Sequence, residues 1–136
     1  MGEFNILLLT HGDAGKALLE SSEMIIGKSN NLYSVSLEIG MSPESFIEKV
    51  KLILDINENE TLILTDLFGG TPSNVALILS TLHQVKCVSG LNLAMLIEAI
   101  MMRNNNVENS LDNFAKKICT IGKEACRQFE INKEED

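Results

Sequence analysis

Short apolar runs alternate along this chain with segments of helical spacing, and that alternation limits the fold more than any other feature. Phe4–Leu9 reads as a short apolar strand, buried on both faces as in a parallel sheet. Asp13 is placed to cap a helix over about Ala14–Ile26, with Ala17, Leu18, Met24 and Ile25 on its apolar face and Gly27 as its stop. Leu32–Leu37 alternates Leu and Val with Ser and Tyr, a strand nearer an edge. Ser42 and Pro43 open a second helix with Glu44–Ile56 as its body and Phe46, Ile47, Val50, Ile53 and Leu54 as its stripe. Thr61–Leu67 is a third strand. The turn Phe68-Gly69-Gly70 then leads to a helix over about Pro72–His83, which Thr71 is positioned to cap. Val85–Val88 is a fourth strand, and Asn92 starts a helix to about Arg103. Arg103–Asn109 reads as a polar surface loop, followed by a last helix from near Ser110 to about Thr120. Beyond Gly122 two readings stay open: Ala125, Arg127, Phe129 and Ile131 alternate as in a strand, or the helix continues. Lys133–Asp136 reads as a frayed tail.

Strands alternating with helices predict an α/β fold: a doubly wound, mainly parallel sheet of four strands flanked by helices. No linker, repeat or low-complexity segment interrupts the chain, so residues 1–136 read as one domain. The formal net charge of −8 disfavours nucleic acid or an anionic membrane surface as partner. One Tyr and five Phe offer few stacking platforms for bases. No apolar run approaches a membrane span, and the N-terminus lacks a signal-peptide pattern, so a cytoplasmic location is expected. Cys87, Cys119 and Cys126 fit no zinc or redox spacing and read as reduced structural thiols; no metal site and no cofactor are expected.

The candidate chemistry sits where two strands stop. Ligands of open α/β sheets bind beyond the carboxyl ends of the strands, where the strand order reverses. In the common order 2-1-3-4, the first and third strands straddle that point. The first ends at Thr10-His11-Gly12 and the third at Thr65-Asp66-Leu67, so this order brings His11 and Asp66 together. A carboxylate that accepts the proton of one imidazole nitrogen fixes the tautomer and leaves the other nitrogen a free nucleophile. Gly69 and Gly70 let backbone N–H groups approach an anion, and Thr71 begins a helix whose first N–H groups have no internal partner. Gly12 removes a side chain that would crowd the same space. Taken singly, each feature has an ordinary explanation in strand ends, turns and caps; they reinforce one another only if the strand order holds.

Other signals are weaker. His83, before Gln84, suits a helix end facing the negative pole of the dipole. Met95, Met101 and Met102 read as core or interface filler. Two stretches faintly like Walker A loops, at His11–Ala17 and Ser22–Ser29, lack the required glycine, so nucleotide hydrolysis has little support.

The segments "LLTHGDAGKALLESSEMIIG", "ILTDLFGGTPSNVA" and "GLNLAMLIEAIMMR" resemble, in order and spacing, the IIA components of the mannose-type (mannose/fructose/sorbose) phosphoenolpyruvate-dependent sugar phosphotransferase system. The resemblance covers nearly the whole chain. It implies that His11 carries the phosphoryl group on Nε2, that Asp66 pairs with the other ring nitrogen, and that Thr71 and neighbouring turn amides contact the phosphate. It implies transfer from the carrier HPr to a histidine of a IIB component, serving membrane IIC and IID components. It also implies a homodimer with an exchanged C-terminal antiparallel strand, which would make Ala125–Ile131 a strand. Because the chain ends before any linker, its IIB component is expected to be a separate polypeptide. Thr71 stands where the family often has Ser, and Leu93-Ala94 replaces a proline-containing version. Two alternatives share features of this pattern: the phosphotransferase subunit of a dihydroxyacetone kinase system, which should lack the "FGGTPSN" turn, and a regulatory module signalling through a phosphorylated histidine.

Overall fold

In a computed structural model that describes residues 3–56 and 59–131, four parallel strands form one sheet. They are β1 (Asn5–His11), β2 (Leu32–Leu37), β3 (Thr61–Thr65) and β4 (Val85–Ser89), in the order β2-β1-β3-β4 expected from the alternation. The helices are α1 (Ala14–Ile26), α2 (Pro43–Ile56), α3 (Thr71–Leu79), α4 (Leu93–Asn104) and α5 (Leu111–Glu124).

The period of two along each strand divides the core into two layers. Ile6, Leu8, Leu62, Leu64 and Val88 face α4 and α5, where Leu96, Ile100, Phe114 and Ile118 are buried. Phe4 stacks on Phe114 with ring centroids 5.1 Å apart. Leu7, Leu9, Val35, Ile63 and Val85 face α2 and α3, meeting Phe46, Val50, Leu54, Val75 and Leu79. Central strands covered on both faces must be apolar on both, which is why β1 and β3 are the leucine- and isoleucine-rich runs. The half-exposed pattern of β2 is that of the edge strand its alternation suggested. Asn5 is the exception in β1: it is 1% exposed and its amide meets no partner among the described residues.

Several local expectations are corrected. α1 does not bury Ala17, Met24 or Ile25, which are exposed; its inner face is Gly15, Leu18, Leu19, Ser22 and Ile26. Gly15 lets α1 lie close to β1, since a Cβ there would be 3.1 Å from Leu8 Cβ. Asp13 makes no capping bond; its carboxylate accepts from Ser36 Oγ at 2.7 Å, and Thr10 Oγ1 takes the Gly15 N–H instead at 2.9 Å. α3 ends at Leu79 rather than His83, because Ser80, Thr81 and Leu82 close tight turns with their hydroxyls or amides on the preceding carbonyls. Ser42 and Asn92 cap as expected, through Ser45 N and Met95 N. Ser110 likewise caps α5, which runs four residues past Thr120 to Glu124. After it, Cys126–Ile131 belong to neither helix nor strand within this chain. The frayed tail expected at 133–136 lies outside the described residues.

The cysteines are free. Much of Cys87 faces solvent, yet its Sγ donates to Ala76 O at 3.5 Å and burial pushes the thiol up to about 11. Met95 is core, as expected; Met101 is exposed.

Arg103 is not the start of a surface loop but a buried residue of α4, 3% exposed. Its guanidinium donates to Phe4 O (3.1 Å), Asn31 O (3.0 Å) and Asn30 O. It thereby ties the entry of β1 and the α1–β2 turn to the end of α4. Removing it takes a donor from each of these carbonyls, of which Asn31 O keeps the Ile6 N–H at 3.0 Å, and leaves a hole in the packing. Arg103→Ala should therefore lower unfolding stability by about 2–4 kcal/mol in urea titrations. The change lies at the end of β1 opposite His11 and should leave the NMR shifts of the His11 ring unchanged in the folded protein.

Candidate functional site

His11 is the last residue of β1, and the order of strands places the end of β3 beside it. The register pairs Leu9 with Thr65, so Asp66 emerges one residue beyond the ladder, next to the histidine. One carboxylate oxygen does two things. Asp66 Oδ2 accepts the His11 backbone N–H at 2.8 Å and lies 2.8 Å from His11 Nδ1. Its other oxygen, Oδ1, accepts the Leu67 N–H at 2.9 Å. Main chain and ring of one residue are thus held by one atom, which fixes the side-chain rotamer as well as the strand end. With Asp66 ionised, Nδ1 must carry the proton and Nε2 the lone pair.

Burial pushes the Asp66 carboxyl up, but the His11 N–H, the His11 ring and the Leu67 N–H together outweigh it, and the net pKa falls below the ordinary aspartate value. The His11 side chain stays 48% exposed and that of Asp66 21%, so the ring is held yet reachable.

The glycines have separate jobs. Gly12 turns the chain away from the sheet with φ +57° while its N–H donates to Leu37 O at 2.8 Å. At Gly70 there is no room: a Cβ would sit 2.8 Å from His11 Cε1 and 3.3 Å from Nε2. The bare backbone of Gly70 therefore lies against the free nitrogen's side of the ring. Gly70, not Thr71, is the cap of α3, in extended conformation (φ −87°, ψ 175°), and Thr71 is the first helical residue. The N–H groups of Thr71 and Ser73 donate to nothing among the described residues, as first-turn amides do. An unfilled helix start beside Nε2 favours an anion there.

Two features escape a reading of the sequence alone. Ser73 Oγ accepts the Gly69 N–H at 3.3 Å, bracing the turn and occupying an amide that the sequence offers to the anion. A serine three residues past a cap is a signal for such back-bonding that composition alone does not single out. Thr10 is the second, since nothing in the sequence sets it apart from the strand around it.

His83 shows what the same pairing looks like without access. Its Nε2 lies 2.9 Å from Asp55 Oδ1, but its other nitrogen, Nδ1, is buried without a partner among the described residues. The lone pair left by that pairing points into protein, so His83 clasps α2 to the turn before β4 instead of presenting a nucleophile.

The switch point of this parallel α/β sheet thus holds a carboxylate-fixed, half-exposed histidine beside an open helix start, an arrangement that can hold a small anionic group. Comparison with known proteins makes the class specific. Residues 5–119 match the family model described as the PTS system fructose IIA component. The chain is 34% identical, over 91% of its own length and 87% of the relative's, to the fructose-specific EIIA component of Bacillus subtilis. It is 30% identical to the mannose-specific EIIAB component of Escherichia coli, spanning 38% of that longer protein. Among solved structures it superimposes on the mannose/sorbose specific IIA subunit from Enterococcus faecalis with a TM-score of 0.89 and 30% identity, covering 97% of this chain and 98% of that one. The chain belongs to the mannose-type IIA family of the sugar phosphotransferase system.

Because the hydrogen bonds of Asp66 form with its ionised state, they contribute above the unfolded pKa and are lost as pH falls through the lowered folded value. The side-chain carboxyl of Asp66 should titrate below the ordinary aspartate value in carbon-detected NMR. The His11 N–H should hold its hydrogen-bonded shift down to that pH. A midpoint at or above the ordinary value would contradict the geometry.

Proposed function

We propose that this protein is a cytoplasmic phosphoryl carrier that takes phosphate from phosphorylated HPr on His11 and passes it to a histidine of a IIB component. That component serves sugar uptake through membrane IIC and IID partners. The observation that carries the reading is the contact of Asp66 Oδ2 with His11 Nδ1, which leaves Nε2 free beside Gly70 and the start of α3. Among the described residues no helix is long and apolar enough to cross a membrane.

In each half of the cycle one P–N bond breaks as another forms. The His11 Nε2 lone pair attacks the phosphorus of the donor phosphohistidine, whose nitrogen leaves with its electron pair. The new phosphoimidazole keeps its Nδ1 proton and gains positive charge on the ring, which Asp66 offsets. In this reading the first-turn amides of α3, Thr71 and the Gly70 backbone hold the phosphoryl oxygens, and Gly12 keeps the approach open. No cofactor takes part. Leu67 and Phe68, 51% and 83% exposed, rim this end of the sheet with apolar surface that a protein donor or acceptor can cover.

The functional unit in this reading is a homodimer. β4 is an edge strand among the described residues. Phe129 and Ile131, beyond α5, are 91% and 90% exposed, and Leu77, Ile78 and Leu82, in and just after the last turn of α3, are exposed as well. A segment of one copy laid along β4 of the other covers both.

After incubation with phosphoenolpyruvate, enzyme I and HPr, mass spectrometry should find one phosphate on His11. His11→Ala should take up none. Asp66→Asn should fold but transfer about 10²–10⁴-fold more slowly, because the tautomer is no longer fixed. A phosphate on His83, or none, would refute the reading, and onward transfer to a dihydroxyacetone kinase subunit instead of a IIB component would favour that relative.

For the dimer, sedimentation should give twice the 15.0 kDa chain mass. The pair Phe129→Glu and Ile131→Glu should reduce it to one chain without loss of helix signal; an unchanged dimer would exclude this segment as the contact.

A further inference from the structure

We propose that Thr10 is a positioning residue for group transfer at His11; this rests on the reading of His11 as the phosphoryl acceptor. Adjacent residues of a strand point to opposite faces, so Thr10 and His11 address two different helices. His11 meets the start of α3, as described above. Thr10 turns to the other face, is 1% exposed, and meets the start of α1. Its single hydroxyl is used twice: it donates to Gly12 O at 2.9 Å and accepts the Gly15 N–H at 2.9 Å.

Those two bonds span the turn on which the histidine stands. Gly12 has φ +57° and its peptide can rotate at little steric cost, so the residue that makes the turn feasible also makes it loose. The Gly12 N–H is fixed by Leu37 O on one side and the Gly12 C=O by the Thr10 hydroxyl on the other. Gly15 adds a steric stop, because a Cβ there would come within 3.3 Å of both Thr10 Cγ2 and Oγ1. The ring of His11 is therefore set by three fixed points: Asp66 at its nitrogen, Leu37 O at the following amide, and Thr10 at the following carbonyl. Nothing else among the described residues bonds the Gly12 carbonyl. Valine has the shape of threonine but would leave Gly12 O and Gly15 N–H without that partner, while His11, Asp66 and the net charge stay as they are.

Single-turnover transfer from phosphorylated HPr, with stopped samples quantified for phosphohistidine, separates placement from folding. A purely structural defect lowers the amplitude, through fewer competent molecules, whereas misplacement of Nε2 lowers the rate constant of the molecules that react. Thr10→Val should lower the saturating rate constant about 10–100-fold, with the HPr concentration at half saturation unchanged. Thr10→Ser, which keeps the hydroxyl, should restore most of the rate. A Thr10→Val rate equal to wild type, or a Thr10→Ser rate as low as that of Thr10→Val, overturns the inference. Should Thr10→Val not stay folded, amide hydrogen exchange of the wild-type protein decides: Gly15 N–H must be protected, and free exchange there overturns it. A wild-type protein that takes no phosphate on His11 overturns the acceptor reading itself; one that does, with Thr10→Val just as fast, overturns only the role of Thr10.

Discussion

The site depends on one oxygen atom. Asp66 Oδ2 meets both the main chain and the ring of His11, each at 2.8 Å. Either contact alone would be modest at a surface, where a single ion pair contributes little. Together they constrain a strand end, a rotamer and a tautomer at once, and they do so between segments that only the sheet order brings together. That order is in turn a packing result: β1 and β3 are the two strands buried on both faces, so they occupy the middle of the sheet and end side by side at the switch point.

What surrounds the pair is defined by absence of side chains as much as by their presence. Gly70 is excluded from bearing a Cβ by the imidazole itself, and Gly12 supplies a left-handed turn at the strand end. The open first turn of α3 then lies next to the unpaired nitrogen. His83 and Asp55 make the same kind of contact elsewhere, yet with the remaining nitrogen buried. The pairing alone therefore does not present a free nitrogen to solvent; the half-exposed ring of His11 sets it apart from His83.

The sheet order, the strands, the two-layer core and the His11–Asp66 pair were legible because each follows from patterns longer than a single residue: buried runs, helical stripes and strand ends. Errors fell where one local hydrogen bond decides among near-equal choices. Asp13 has the residue type and place of a cap for α1, but its carboxylate goes to Ser36, and the Gly15 N–H is taken instead by Thr10, a strand residue that nothing in the sequence marks for that task. Thr71 has the residue type of a cap, but the extended conformation that a cap needs falls on Gly70, where the backbone meets His11. Arg103 closes an apolar helix and begins a polar stretch, which is the pattern of a surface residue; its three carbonyl partners come from segments far off in sequence. The alternation at Ala125–Ile131 left strand and helix both open, and among the described residues no strand pairs with it.

The phosphoryl transfer proposed for this site turns on which ring nitrogen is free. Nitrogen NMR of protein carrying labelled histidine reads this directly. The neutral ring of His11 should show the proton on Nδ1 and an unprotonated Nε2, and after phosphorylation the phosphorus should couple to Nε2. A proton on Nε2, or a phosphorus–nitrogen coupling to Nδ1, would contradict the assignment.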